Sequence, residues 1–272
     1  MEEISLSFSS ITLSVYELVA ALLLCDYGEV ASELINQKRL FKSKRKLGRF
    51  IQQTETSLKK KGLMDLSRDT NLTREFESLI HQLVQAEKKV RSVNIQKHSV
   101  LIIHSLGGTE ILIQQVRDKY HTFTYTNNIA FSQIFQKHYG LNPEEESPLF
   151  LKAIQISDEM YDELHKSRHE VLELMANDDK IDLAMQKFLK DFIKNEQQMD
   201  NISFMVSNYV EDTSNISEVN FLLPSNGFVW HLNYENVREH KISLEPIPIQ
   251  DYFQKIEDAT IAFFQEQDST II

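Results

Sequence analysis

The sequence predicts an α+β fold: a central antiparallel sheet flanked by helices, arranged as two quasi-two-fold-related halves. Three observations predict it. The first is a local pattern that returns. Ile11-Thr12-Leu13-Ser14-Val15-Tyr16-Glu17-Leu18 is echoed 143 residues later, in a chain of 272, by Ile154-Gln155-Ile156-Ser157-Asp158-Glu159-Met160-Tyr161. Both copies alternate two apolar residues as a strand does and then place Ser where a helix begins. The second is element order, since each half reads strand, helices, antiparallel meander, helix rather than alternating strand and helix. The third is turn chemistry: Gly107-Gly108 and Ser225-Asn226-Gly227 each separate two apolar alternations, a hairpin signal.

The elements follow in chain order. Ile4, Leu6 and Phe8 alternate with serines as a half-buried strand. Ser14 then caps a helix running to about Asp26, Glu17 completes a capping box, and Leu13 and Leu18 can close a hydrophobic staple. Gly28 ends that helix, 29–40 reads as a second, and a basic helix spans about 43–61 until Gly62 stops it. A further helix is expected over about 73–88, with Leu72, Phe76, Leu79, Ile80 and Leu83 at helical spacing. Short β-rich runs at 90–96, 99–106, 109–116 and 120–126 make the first meander, and a helix over 129–139 closes it. Asn142-Pro143-Glu144-Glu145-Glu146-Ser147-Pro148 is the one clear linker, so the halves of this single domain are 1–141 and 149–272.

In the second half 149–156 is a strand and Ser157 caps a helix over 157–176, with Ile156 and Tyr161 as the staple but no box glutamate. A helix over 180–195, strands over 202–210, 219–223 and 228–234, a last strand near 241–245 and a helix over about 249–267 complete it.

Composition narrows the function. With 42% hydrophobic residues and only 7 Gly and 5 Pro, the chain can bury a large core and has little room for disordered linker. A net charge of −11 argues against a nucleic-acid coat. Between Asn36 and Lys61, however, the net charge is +9, centred on Lys42, Lys44, Arg45, Lys46 and Arg49. That basic helix, a turn, the next helix and a hairpin resemble a winged-helix order, which keeps a nucleic-acid-binding regulator as the alternative function. Against it, basic and aromatic residues do not interleave, and Arg74 is the sole cation in the first ten residues of the would-be recognition helix.

The single cysteine, Cys25, follows an apolar helical run and reads as a buried, inert thiol. The acidic start Met1-Glu2-Glu3 lacks the basic region of a secretory leader, and no apolar run is long enough to span a bilayer, so a cytoplasmic protein without membrane insertion is expected.

No glycine-rich phosphate loop, nucleophile elbow or zinc-protease helix motif occurs. His165, His169 and Glu173 have the spacing of metal ligands on one helix face, but an exposed charged face explains them better. The expectation is therefore no catalytic residue, no metal and no cofactor. Phe228, Trp230 and Leu232 share one face of a late strand. They are core if helices cover that face and partner anchors if it is partly bare.

The chain resembles the EspG-like chaperones of type VII (ESX) secretion. The resemblance is carried by the N-terminal strand into Leu13-Ser14-Val15-Tyr16-Glu17-Leu18, by Lys61-Gly62-Leu63-Met64-Asp65 before a leucine-rich helix, by the meander around 98–126 and by the turn from Pro224 to Trp230. The family's Asp-Thr-Pro-Arg-Gly-Arg-like turn is kept here only as Pro224 and Gly227. The resemblance implies the EspG-like α+β fold and a cytosolic, non-enzymatic adaptor. Such a protein binds helical secretion substrates and keeps them soluble until export, as a monomer or weak homodimer. The low-Gly, Lys-rich composition favours WXG100- or LXG-type substrates, with Phe228, Trp230 and Leu232 as the expected contacts.

Overall fold

A computed structural model describes residues 10–40, 53–127, 130–142, 144, 151–208, 213–234 and 237–266. β1 (Ile11–Ser14) passes directly into α1 (Val15–Leu24) because Ser14 caps the helix. The Glu17 amide donates to Ser14 Oγ (3.2 Å) and the Ser14 amide donates to Glu17 Oε2 (2.7 Å), the reciprocal box that the spacing predicts. Glu17 is 3% exposed, and its carboxylate also accepts from Ser57 Oγ and from Lys61 Nζ, each at 2.8 Å. Burial alone would raise this carboxyl; the Lys61, Ser14 and Ser57 donors outweigh it and hold the group below the ordinary carboxylate range. Lys61 Nζ also donates to the Thr12 carbonyl (2.8 Å), so one carboxylate ties strand, helix and the described helix α3 (53–60) together.

Next come α2 (Gly28–Gln37), ahead of α3, and α4 (Arg74–Gln85), after it. The first meander is β2 (Lys88–Asn94), β3 (Ser99–Ser105), β4 (Ile111–Arg117) and β5 (Tyr120–Thr126), and α5 (Phe131–Tyr139) follows it. The pattern then recurs: β6 (Ile154–Ser157), α6 (Asp158–Lys166), α7 (His169–Ala176) and α8 (Leu183–Lys194). The second meander is β7 (Asp200–Asn208), β8 (Thr213–Pro224), β9 (Phe228–Asn233) and β10 (Lys241–Pro248), followed by α9 (Ile249–Gln265).

The strands form one sheet in the order β1-β5-β4-β3-β2-β7-β8-β9-β10-β6. Read from either end, the order is the same: the lone strand of a half, then its meander from last strand to first. The two meanders meet in the antiparallel β2–β7 pair, with Val90 opposite Phe204 and Ser92 opposite Ile202.

Contacts gather the described residues into two compact units: those within 1–87, 103–127 and 207–213, and those within 88–102, 128–206 and 214–272. In the first, α1 and α4 bury Leu18, Leu22, Phe76, Leu79 and Ile80 with Leu13, Leu112 and Phe123 of the sheet. In the second, Phe188, Leu189 and Phe192 of α8 pack with Leu172 of α7 and Trp230, Leu232 and Leu244 of the sheet. The opposite face of that sheet carries α9, whose Tyr252 meets His231 (ring centroids 5.7 Å) and whose Phe263 meets Phe204 (5.4 Å).

Several elements differ from expectation: Gly28 begins α2 rather than ending the first helix, and β6 starts at Ile154 rather than 149. The helix expected over 157–176 is two helices, because Ser167 and Arg168 are extended (ψ 146° and 145°) and Gln197 Nε2 takes the Ser167 carbonyl at 2.9 Å. β10 continues through Pro246 and Pro248, where β6, paired only as far as Leu244, no longer runs alongside. The two prolines stand two apart, so their missing amides fall on one side of the strand. β8 begins at Thr213, six residues before its expected start. The strand expected over Ile4–Phe8 lies outside the described residues.

A buried polar cluster sits at the β2–β7 seam. The Tyr139 hydroxyl lies 2.7 Å from Ser92 Oγ and 3.2 Å from the Val93 carbonyl, and the Ile95 amide donates to Asp200 Oδ1 (2.9 Å). Burial pushes Asp200 up to about 6, against the Ile95 and Asn195 donors, and pushes the His138 imidazole down to about 4, with Lys97 adding to the shift. The two groups act in opposite senses. Folded Asp200 keeps a proton that the unfolded chain releases near pH 4, so its contribution is full below that and is lost as pH rises through 6. Folded His138 refuses a proton that the unfolded chain accepts near 6.5, so its contribution is full above that and is lost as pH falls toward 4.

Two stability measurements follow. Glu17→Ala should lower unfolding free energy by about 2–3 kcal/mol and Ser14→Ala by about 1 kcal/mol in urea titrations. A Glu17→Ala loss under about 0.5 kcal/mol would show the carboxylate hub to be dispensable. Asp200→Asn removes only the acid's contribution. Relative to the native chain it should gain about 1.4 kcal/mol per pH unit between roughly pH 4 and 6 and level off above that, whereas a pH-independent difference would contradict the assignment.

Candidate functional site

The three late-strand residues are core. Phe228 and Trp230 are 0% exposed and Leu232 2%. Trp230 meets the Phe188 ring edge-on (5.7 Å) and the Phe228 ring likewise (5.2 Å), and its Nε1–H donates to Asp191 Oδ2 (3.1 Å). Lys187 Nζ completes the group, 2.7 Å from Asp191 Oδ2 and 2.8 Å from Ser225 Oγ. The expectation that these residues offer a partner surface is therefore corrected: α8 lies over the face they share. Alternation in β9 shows which residues share a face but not whether a helix covers it.

Lys42, Lys44, Arg45, Lys46 and Arg49 lie outside the described residues. Of the basic residues that follow, Lys59 pairs with Glu55 (2.7 Å) and Lys61 with Glu17 (2.8 Å), so both are neutralised within the fold. β2 and β3 are inner strands of the described sheet rather than a free two-stranded wing.

His165 lies in the last turn of α6 and His169 begins α7, so the broken helix removes the common face on which a metal triplet depended. His165 Nδ1 lies 2.8 Å from the Gln197 carbonyl, and His169 faces Glu173 (3.3 Å). Among the described residues no group of three His, Cys, Asp or Glu side chains is placed to hold a metal ion. In the strands, His104 Nε2, the Gln114 amide group and His121 Nδ1 form a buried relay at 3.0 and 2.9 Å. Burial, with Lys38 nearby, pushes His121 down to about 4, so it is neutral at physiological pH. Cys25 is buried, and burial, with Glu77 and Asp26, pushes its thiol up to about 12. It remains an unreactive thiol.

The concave apolar surface belongs to the first unit. α1 is apolar almost all round: Leu18, Val19, Ala21 and Leu22 face the core, which leaves Ala20, Leu23 and Leu24 on a second stripe. α3 sets Leu58 beside that stripe, and the turn after it supplies Met64 and Leu66. This turn is shaped by a bridge between Met64 and Leu72 and by the Asp65 amide donating to the Asn71 carbonyl (3.0 Å). The result is a hollow of about 370 Å³, with Leu23 at 45% and Leu66 at 66% exposure on its rim. Large apolar side chains exposed around a concavity mark a contact site. The sequence signal was the run Ala20–Leu24, which reads as core when the second stripe is overlooked.

No family model matches the chain, and no curated relative matches it in sequence. Its fold is shared with a solved structure, that of the Mycobacterium tuberculosis type VII secretion system chaperone EspG5 in complex with the PE25–PPE41 dimer. The two superpose with a TM-score of 0.57 over 93% of this chain and 96% of the other, at 13% identity. The α+β architecture with its large antiparallel sheet is thus an EspG5-like fold. Among the described residues no helix is long and apolar enough to cross a membrane.

A core Trp230 predicts a specific result. Trp230→Ala should cost about 3–5 kcal/mol of stability, far more than the loss of a surface side chain, as read by chemical denaturation. A loss below about 1 kcal/mol would return this residue to the surface.

Proposed function

We propose that this protein is a cytosolic, non-enzymatic chaperone of a type VII secretion system that binds helical secreted substrates of the WXG100 or LXG type and holds them soluble for export. The observation that carries the reading is the likeness to EspG5 along nearly the whole of both chains. The exposed apolar hollow in the first unit supports it physically. A client helix that is apolar at its interface seats side chains at i, i+3 and i+4 in such a groove, and burial of Leu23 and Leu66 then drives association. His121 and Cys25, buried and neutral, and His165, bonded to a backbone carbonyl, also suit a binding protein better than an enzyme.

Purification of the full chain from its native cytoplasm, with mass-spectrometric identification of what accompanies it, tests this. A small helical secreted protein in stoichiometric amount is the expected companion. The double variant Leu23→Glu, Leu66→Glu should melt like the native chain yet recover at least about tenfold less client, because two apolar contacts become buried charges. Recovery of nucleic acid, or of no companion, would contradict the proposal.

A further inference from the structure

The second unit has a different concavity, and nothing so far assigns it. It is a cleft of about 670 Å³ walled by Tyr161, Asp162, His165 and Lys166 of α6, by the 196–199 turn ahead of β7, by Phe221 of β8 and by Tyr234 just after β9. Its back wall is built firmly. Glu196 and Gln197 are consecutive non-glycine residues in the left-handed region (φ 58° and 55°), a conformation that needs outside support. The support is visible: the Gln197 amide donates to the Phe192 carbonyl (2.8 Å), its side chain donates to the Ser167 carbonyl, and its own carbonyl lies 2.8 Å from His165 Nδ1. The turn therefore projects Glu196 outward, 53% exposed, on a fixed backbone.

Three aromatic rings and two carboxylates converge on this cleft. Phe221 and Tyr234 meet edge to face with centroids 5.8 Å apart, and Tyr161 stands against His165 at 4.7 Å. Burial, then their mutual proximity and Asp162, raises Tyr161 well above the ordinary phenol range; burial and Asp162 raise Tyr234 too, so both stay neutral. The charges already present are loosely held. Lys166 reaches Asp162 only at 3.8 Å with both side chains exposed, and Glu196 has His98 at 3.6 Å, also exposed. Two carboxylates against one exposed ammonium leave the cleft net negative. Aromatic faces beside carboxylates favour a cation, a planar guanidinium above all, because it stacks on a ring while it pairs with an acid.

We propose that this cleft receives a single basic side chain, an arginine, from the bound client protein, with Tyr161, Phe221 and Tyr234 as the cage and Asp162 and Glu196 as the counter-charges. The cage chemistry stands on its own; only the identity of the arginine's carrier rests on the chaperone reading. Lys166 is the group the incoming guanidinium displaces.

Titration of the full chain with N-acetyl-arginine amide, followed by NMR and set against the uncharged isostere N-acetyl-citrulline amide, tests the cage without any client. The arginine compound should bind about tenfold tighter than citrulline, with Tyr161 and Met199 resonances moving. Asp162→Asn and Glu196→Gln should each weaken it about three- to tenfold, and Lys166→Met should strengthen it by a similar factor. All three positions are exposed, so melting temperatures should not move. No saturable binding, equal binding of citrulline, or indifference to all three substitutions would overturn the proposal. Arginine binding without any co-purifying client would leave the cage standing and remove the chaperone reading. The converse result would remove only the cage.

Discussion

The antiparallel pairing of β2 with β7 joins the first strands of the two meanders, and the core of the second unit depends on its register. Sheet register is ordinarily held by apolar alternation, and Val90 opposite Phe204 supplies part of that here. The seam adds a second lock made of buried polar groups. The Ile95 amide after β2 donates to Asp200 Oδ1 of β7 (2.9 Å), and the Tyr139 hydroxyl, held against β2 at Ser92 Oγ and the Val93 carbonyl, lies 3.4 Å from the Asn201 carbonyl of β7. A slip of one residue would orphan these groups as well as turn Val90 and Phe204 to the wrong face, and an orphaned buried donor costs more than its bond contributes. α5 is thereby pinned to β2, and its Phe135 stacks on Phe253 of α9 (6.4 Å).

The two helix starts begin alike and then diverge. Ser14 and Ser157 both cap, and each follows a strand at the end of the sheet order. In the first copy the residue three on is Glu17, which also binds Ser57 and Lys61, and α1 carries an apolar second stripe. In the second copy that position is Met160, which has no carboxylate to gather neighbours. Asp158 instead meets the exposed His240 (2.9 Å), and the helix breaks at Ser167. The aromatic-and-acid cleft opens along α6, while the apolar hollow lies beside α1. The same local start has thus become two surfaces of different chemistry, one suited to aliphatic side chains and one to a cation.

How much of this was legible depended on where the deciding contacts lie. β5 is found at Tyr120–Thr126 as expected, since a hairpin and strict alternation are local features. The Ser14–Glu17 box was legible for the same reason. The break between α6 and α7 was not, because Ser167-Arg168-His169 contains neither Gly nor Pro, and the chain turns there under a hydrogen bond from Gln197, thirty residues away. Pro246 and Pro248 argued for ending β10 early, and only the short partner strand β6 explains why they are tolerated. Trp230 illustrates the same limit at the candidate site. Its strand face could be read from spacing, but the cover provided by Phe188 of α8 is a tertiary fact. The hollow beside α1 was half visible, in a run too apolar for one buried face.

A photo-crosslinking amino acid placed at Leu66 in the native host tests the central claim most directly, because it reports what touches the rim of the hollow in the cell. Leu174 of α7, 75% exposed in the other unit, serves as the reference position. The account predicts a crosslink from position 66 to a small helical protein exported by a type VII system, and none to that protein from position 174. Capture of that protein from 174 and not from 66, or no crosslinked protein at 66 at all, would contradict it.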